Sequence, residues 1–217
     1  MNEKNGVKPI VIGVSGGSAA GKTTFTDMLA DRLADFGPVV LNQDSYFRDW
    51  SALPEDEREI KRTANHPRAV LWEPLIADVK CLREGQAIEI PPLGTRAFRR
   101  GDDPQKVVPE RLIIVEGHLI FSQEALRALL DIKLFLDVDT HERVLRRMLR
   151  NTSSGMSLED AVAWYRRDVV PNYRVYTEPT REYADLIVPF EGDVQVGVDV
   201  VANGIRRMIV DGKGFNR

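Results

Sequence analysis

A glycine-rich stretch near the amino terminus has the spacing of a phosphate-binding loop. Gly16, Gly21, Lys22 and Thr23 fit Gly-x-x-x-x-Gly-Lys-Thr within SGGSAAGKTT. Glycines let successive backbone N–H groups turn inward around phosphate oxygens, and the following helix directs its positive end at the same anion. Lys22 is expected to bridge the terminal phosphates of a nucleoside triphosphate, and the Thr23 hydroxyl to hold Mg²⁺. The residues expected to contact the nucleotide are Gly16, Gly17, Ser18, Ala19, Ala20, Gly21, Lys22, Thr23 and Thr24.

Two acids follow apolar, strand-like runs and are the candidate acid–base and metal groups. Asp44 comes just past residues 39–42, and Glu116 follows residues 112–115. Ligands bind at the carboxyl ends of strands in open α/β sheets, so both acids are expected to face the glycine-rich loop. Asp44 could take the proton from a hydroxyl that attacks the γ-phosphate, or it could cap backbone N–H groups in a turn. Glu116 could organise Mg²⁺ through a water, or could simply meet solvent at a strand exit.

Arginines recur along one predicted helix, residues 140–150. Arg143, Arg147 and Arg150 are spaced i, i+4 and i+7, so they share a helix face. Their guanidinium groups could neutralise charge on a transferring phosphoryl group; a solvated basic face is the alternative. A polar stretch and a further helical pattern follow, which indicates a lid over the phosphates at residues 150–172.

Short apolar runs alternate with helical patterns, which predicts a parallel sheet with helices on both faces. The predicted strands are residues 10–14, 39–42, 112–115, 132–136 and 186–188. Helical patterns are predicted at 122–130, with Ser122 as its cap, and at 140–150. A C-terminal apolar stripe consists of Val194, Val198, Val201, Ile205 and Met208. The predicted class is α/β, a three-layer P-loop fold in a single domain of residues 1–217.

A proline-rich segment, residues 45–110, interrupts this alternation. It contains one clear helical pattern at 73–84 and two short runs, 88–90 and 106–108, that could pair as strands. A long insertion in a compact domain is usually functional, so we expect it to bind an acceptor; a surface excursion without function is the alternative.

Length, charge and cysteine content narrow the class of protein. A chain of 217 residues suits one domain with a proper core. The net charge of −3 gives no support to a nucleic-acid or membrane-surface partner. The single cysteine, Cys81, excludes an intramolecular disulfide and a cysteine-based zinc site. The N-terminus lacks an apolar leader and no apolar run reaches membrane-spanning length, so a cytoplasmic protein is expected.

Together these motifs resemble the uridine kinase family within the phosphoribulokinase/uridine kinase group. The resemblance covers roughly residues 10–208 and is carried by GGSAAGKTT, LNQDSYFRD, NHP, IIVEGHLIF, LFLDVDTHERVLRRMLR and TEPTREYADLIVP. It implies phosphorylation of a nucleoside 5′-hydroxyl by ATP or GTP with Mg²⁺, and a homo-oligomer. By the same resemblance Asp44 is the general base. The groups around the phosphates, the metal or the substrate are Lys22, Thr23, Glu116, Arg147 and Arg150.

The departures from the family's pattern lie mainly where the acceptor is expected. Phe47 stands at a position that is typically tyrosine, with Tyr46 one residue early. Asn65 replaces the ribose-binding acid of the family's Asp-His-Pro motif. Asn65 can still bond a diol, but without the charge assistance of a carboxylate.

The segments that read a pyrimidine in the family also differ. Leu93 and Phe98 stand at the places of its tyrosine and histidine. Trp164, followed by a retained Tyr165, replaces a lid glutamine, and the lid's Arg-Gly-Arg reads Ser-Gly-Met. Leu93, Phe98 and Trp164 therefore predict a more apolar acceptor pocket than the family has.

Three hypotheses follow for the activity. The acceptor could be a pyrimidine nucleoside held by different contacts. It could equally be a non-nucleoside sugar, a sugar phosphate or a polyol. The third hypothesis is a degenerate ATP-binding regulatory module, which ATP binding without acceptor-stimulated ADP release would favour. The chain lacks an Asn-Lys-x-Asp motif, which weighs against a GTPase switch.

Overall fold

A five-stranded parallel sheet forms the centre of the fold, with strand order β2-β5-β1-β6-β7. The computed structural model describes residues 8–211, so the ends of the predicted 1–217 domain lie outside it. The strands are β1 (Ile10–Gly16), β2 (Pro38–Asn42), β3 (Ile88–Ile90), β4 (Gln105–Val107), β5 (Leu112–Glu116), β6 (Ile132–Asp137) and β7 (Leu186–Pro189). Each strand predicted for the sheet is confirmed and is slightly longer than its sequence pattern.

The register of the central strands brings their carboxyl ends to one level. Glu116 at the end of β5 is paired with Val14 of β1 on one side and with Asn42 of β2 on the other. The apolar residues of β5 have no exposed surface, because helices cover both faces of this strand. The carboxyl ends of β1, β2 and β5, which form the site, therefore lie side by side because of this register.

Helices pack on both faces of the sheet. They are α1 (Lys22–Arg32), α2 (Glu55–Lys61), α3 (Trp72–Arg83), α4 (Arg96–Arg100), α5 (Glu124–Arg127), α6 (Thr140–Ser153), α7 (Leu158–Trp164), α8 (Val170–Asn172) and α9 (Gln195–Val210). One apolar cluster joins α1 and α9 to one face, and a second joins α3 and the segment after β5 to the other. Two π-helical turns, Tyr165–Val169 and Tyr173–Thr177, flank α8 and make the stretch after α7 continuous.

Two helices differ from their sequence patterns. Ser122 does not cap a helix, because its hydroxyl donates to the Leu119 carbonyl at 2.7 Å, and α5 begins only at Glu124. Val198, Val201 and Ile205 of the predicted stripe are buried in α9, whereas Val194 is partly buried at its N-cap. Met208 is 39% exposed, and Ile209 is buried in its place. Within residues 8–211, no helix is both long and apolar enough to cross a membrane.

The insertion is more regular than its sequence suggested. The predicted helix and the β3–β4 pairing are confirmed, with Ile88 opposite Val107 in an antiparallel hairpin. Helices α2 and α4 were not predicted. The α2 sequence (EDEREIK) is almost entirely charged, and α4 has only 5 residues, so neither shows a helical apolar pattern. Apolar residues of the insertion pack in the same cluster as Val11 and Ile113 of the sheet.

We expect Leu29→Ala to lower the free energy of unfolding by about 2–5 kcal/mol, because this α1 side chain is fully buried between the sheet and α9. Urea titration followed by far-ultraviolet circular dichroism measures the loss. Leu145→Ala on α6 is the matched control, since Leu145 is 60% exposed, and should cost about 0.5 kcal/mol or less. Equal losses in the two variants would contradict this description of the core.

Candidate active site

The glycine-rich loop joins β1 to α1 and has no room for a side chain at Gly16, Gly17 or Gly21. A Cβ at Gly17 would lie 2.2 Å from Arg143 Nη1. Gly21 caps α1 with φ of +81°, and a Cβ there would lie 2.8 Å from Phe190 Cε1. The loop therefore fits a phosphate group, which needs bare backbone N–H groups at a helix N-terminus.

Lys22 lies inside this loop. Its Nζ donates to the carbonyl oxygens of Gly16 at 3.1 Å and Gly17 at 2.9 Å. Burial lowers the pKa of Lys22 to about 8, against the opposing charges of Glu116 and Asp44. A phosphate beside the ammonium group would favour its charged form, so this lysine is matched to an anionic ligand.

A chain of hydrogen bonds connects the loop to the ends of β5 and β2. Thr23 Oγ1 donates to Glu116 Oε1 at 3.0 Å, and Asn42 Nδ2 donates to the same oxygen at 2.6 Å. Asn42 Oδ1 in turn accepts from the backbone N–H of Asp44 at 2.7 Å. Burial raises the pKa of Glu116, which is 3% exposed. Asn42 was not among the residues predicted from the sequence, although its place at the end of β2, beside Glu116, was the available signal.

The donor set at Thr23 and Glu116 fits Mg²⁺. Hydroxyl and carboxylate oxygens are the ligands that this ion prefers, and it usually keeps waters and phosphate oxygens in its remaining positions. Among the described residues, no group of three or more His, Cys, Asp or Glu side chains could form a metal cage of its own. Thr23 and Glu116 therefore supply two oxygen donors of the kind that Mg²⁺ takes.

These groups open into one cavity of about 460 Å³. From the residues predicted by sequence, its wall contains Ser18, Ala19, Gly21, Lys22, Thr23, Thr24, Asp44, Phe47, Asn65, Glu116, Arg147 and Arg150. It also contains residues outside that set, namely Asn42, Ala64, Arg96, Gly117, His118 and Arg146. The loop, the two acids and the insertion thus meet around a single space.

Some predicted acceptor contacts lie elsewhere. Tyr46 is fully buried, and its hydroxyl donates to Asp78 Oδ2 at 2.8 Å. Leu93 is 77% and Phe98 44% exposed, and neither belongs to the cavity wall. Leu93 and Phe98 therefore do not line the cavity, whereas Arg96 of α4 does.

Trp164 also lies outside the wall, but it contacts an arginine within it. The guanidinium of Arg147 lies 4.5 Å from the indole centroid, and its Nη1 donates to Ser18 Oγ at 3.2 Å. Burial, followed by the charge of Arg150, lowers the pKa of Arg147 to about 10. Tyr165 is buried beside Trp164. The Trp164 ring therefore supports a cation that contacts the phosphate-binding loop.

Arg143 does not share the exposed face predicted for α6. It is 2% exposed, donates from Nε to the Val138 carbonyl at 3.2 Å and lies 4.3 Å from the Tyr173 ring centroid. Arg146 is in the cavity wall and pairs with Glu142 at 2.7 Å. The cationic part of the wall from α6 thus consists of residues 146, 147 and 150.

Arg96 and His118 complete the side of the cavity near Asp44. The Arg96 guanidinium stacks on Phe47, 4.7 Å from its centroid, and burial lowers the pKa of Arg96. His118 Nε2 lies 2.8 Å from the Ala64 carbonyl, and burial lowers the pKa of His118 to about 3. The imidazole is therefore neutral, and because a carbonyl only accepts, Nε2–H donates to Ala64.

Comparison with known proteins identifies the family of this chain. Residues 11–197 match the Phosphoribulokinase / Uridine kinase family. The chain belongs to this family. The uridine kinase of Ligilactobacillus salivarius (strain UCC118) is 38% identical over 203 residues, 93% of this chain and 95% of that protein. The uridine kinase of Halalkalibacterium halodurans is 38% identical over 205 residues, 94% of this chain and 97% of that protein.

A solved structure shows the same fold. A candidate fructose transport system kinase from Silicibacter sp. TM1040 superposes with a TM-score of 0.66 at 22% identity, over 87% of this chain and 93% of that one.

The family match and the uridine kinase relatives establish the activity class. The protein is an ATP-dependent kinase that resembles uridine kinase, a phosphotransferase with a hydroxyl group as acceptor. The regulatory-module hypothesis and the non-nucleoside acceptors are not favoured by these findings.

We expect Gly17→Ala to weaken MgATP binding at least tenfold, since the added Cβ would overlap the buried Arg143 guanidinium and displace the loop. Isothermal titration calorimetry measures the dissociation constant. Gly204→Ala on α9 is the control, because a Cβ there would meet no other element within 4 Å in the described part of the chain. Unchanged affinity in Gly17→Ala would show that the loop does not need this glycine.

Tyr46→Phe should lower the free energy of unfolding by about 1–2 kcal/mol and leave the acceptor KM unchanged. The reason is that the variant removes the hydroxyl that donates to the half-buried Asp78 carboxylate, away from the cavity. Urea titration and steady-state kinetics test the two parts. A raised acceptor KM at unchanged stability would instead support the substrate contact that the sequence predicted for Tyr46.

Proposed function

We propose that this kinase transfers the γ-phosphoryl group of ATP to the 5′-hydroxyl of a pyrimidine nucleoside, with uridine as the first acceptor. The observation that carries the proposal is that Asp44 shares one cavity with Lys22, Glu116 and the arginines of α6. The relatives named uridine kinase, at 38% identity over most of the chain, support the choice of acceptor. Use of GTP and a homo-oligomeric assembly remain predictions.

Asp44 is the proposed general base. Its side chain is exposed to the cavity, and its backbone N–H is fixed by Asn42 at 2.7 Å. The carboxylate takes the proton of the acceptor hydroxyl as that oxygen forms its bond to the γ-phosphorus. The bond from the γ-phosphorus to the bridging oxygen breaks at the same stage, and ADP leaves with that oxygen.

Cations of the wall offset the charge of the transferring group. Lys22 reaches the phosphates from inside the loop, and Arg147 and Arg150 approach from α6. Thr23 and Glu116 would hold Mg²⁺, which would supply positive charge that stabilises the phosphates during transfer. Residues 150–172 are proposed to close over the phosphates as a lid and exclude water.

The insertion, residues 45–110, is proposed to bind the nucleoside. It contributes Phe47, Asn65 and Arg96 to the wall next to Asp44. The Phe47 ring supports the Arg96 guanidinium, whose N–H groups match the carbonyl oxygens of a pyrimidine. Hydrogen bonds from Asn65 and Arg96 would replace those of the tyrosine, histidine and glutamine typical of the family.

Asp44→Asn should lower kcat by about 10²–10⁴-fold with uridine while MgATP affinity stays within about threefold, because the amide cannot accept the proton. ADP release with uridine and cytidine measures this loss. Asp49→Asn, five residues along and outside the wall, is the matched control. Full activity of Asp44→Asn would exclude it as the base. Turnover of only a non-nucleoside acceptor would refute the nucleoside while leaving the kinase assignment intact.

A further inference from the structure

Asp168 is a buried carboxylate that the proposed mechanism does not use. It is 6% exposed and lies in the π-helical turn that continues α7. The groups that donate to it are Thr63 Oγ1, Ala64 N at 3.4 Å, Asn65 Nδ2 at 2.7 Å and Asn172 Nδ2 at 3.3 Å. Burying a carboxylate costs free energy unless hydrogen-bond donors surround it, and these four donors supply that compensation for Asp168.

The carboxylate dictates which way the Asn65 amide faces. Asp168 Oδ2 accepts from Asn65 Nδ2, so the NH₂ group of Asn65 points at Asp168 and its Oδ1 points away. Asn65 belongs to the cavity wall that also contains Asp44. Among residues 8–211, no group donates to Asn65 Oδ1, and this oxygen is therefore an available acceptor at the wall.

The backbone around Asn65 is held from two sides. Thr63 Oγ1 accepts from the Asn65 backbone N–H at 3.0 Å while donating to Asp168. On the other side His118, just past the end of β5, donates to the Ala64 carbonyl at 2.8 Å. Residues 63–65 are thus fixed between the end of β5 and the turn that follows α7.

We infer that Asp168 is a positioning residue for the acceptor. It holds the Asn65 amide so that Oδ1 accepts a hydrogen bond from a secondary hydroxyl of the acceptor. The inference rests on the proposed function, in which the acceptor is a ribonucleoside with hydroxyls at C2′ and C3′. Asp168 touches neither the acceptor nor the nucleotide and acts through Asn65 alone.

The kinetic test is a double-mutant cycle between Asp168→Asn and Asn65→Ala. Each single variant should raise the uridine KM about tenfold, the cost of one lost hydrogen bond, with the ATP KM within about twofold. Because Asp168 acts through Asn65, adding Asp168→Asn to Asn65→Ala should cost nothing further. Additive losses, or equal rises in both KM values, would overturn the inference.

Deoxynucleosides supply a readout that a loss of packing would not change. Wild-type enzyme should prefer uridine to 2′-deoxyuridine or 3′-deoxyuridine, whichever lacks the hydroxyl that Asn65 accepts. Asp168→Asn should reduce that preference about tenfold, since only the hydroxylated acceptor loses a contact. An equal loss with all three acceptors would mean that Asp168 has a structural role only.

Two further variants guard against misfolding. Asp35→Asn changes an exposed acid with a 79% exposed side chain, paired with Arg206, and should leave all constants unchanged. The reciprocal exchange Asn65→Asp with Asp168→Asn keeps one carboxylate facing one amide and again leaves an acceptor oxygen at the wall. It should restore the uridine KM to within about threefold. Failure of a folded exchange variant to do so would count against the inference.

An acceptor-independent measurement separates this inference from the proposed function. The side-chain amide resonances of Asn65 in a ¹⁵N-labelled protein should shift in Asp168→Asn and stay in place in Asp35→Asn. If uridine is not phosphorylated by the wild type, the proposed function fails, yet these resonances still test the contact. Unchanged Asn65 resonances in Asp168→Asn would overturn the inference even in an active kinase.

Discussion

The in-register end of three parallel strands is the constraint on which the site depends. Glu116 ends β5 at the level of Val14 and Asn42, because β5 lies between β1 and β2. This single level places a carboxylate against the Thr23 hydroxyl on one side and, through Asn42, beside Asp44 on the other. If β5 were shifted by one residue, the Glu116 side chain would point into the core and Val115 would take its place beside the loop.

Several charged side chains of the cavity wall are partly or fully removed from water, and this burial shifts their pKa values. Burial is the leading cause of the lowered pKa values of Lys22, Arg96 and Arg147, and also of the raised pKa of Glu116. Each shift records a charge that lacks full solvation. A polyanion beside these cations would offset their lost solvation, which is the charge complementarity that a phosphate-bearing ligand provides.

The sequence predicted the sheet and the loop because their signals are local. A buried strand followed by glycines and a helix can be recognised without knowing what packs on it, and both acids stood at strand ends where the fold rule places ligands. The insertion offered no such rule. Tyr46 and Phe47 are adjacent in sequence, yet only Phe47 reaches the cavity, and nothing in the local pattern distinguishes them. Arg96 was missed for the same reason, since its role depends on tertiary contacts.

The contact between Asn65 and Asp168 spans 103 positions of the chain and has a consequence for the evolution of the family. Two carboxylates at these places would repel each other in a buried space, whereas two amides would leave the surrounding donors of residues 63 and 64 without a charged partner. A substitution at either place therefore changes which residues are tolerated at the other. Related sequences that carry an acid at the position of Asn65 should accordingly lack one at the position of Asp168, so that the two positions vary as a pair.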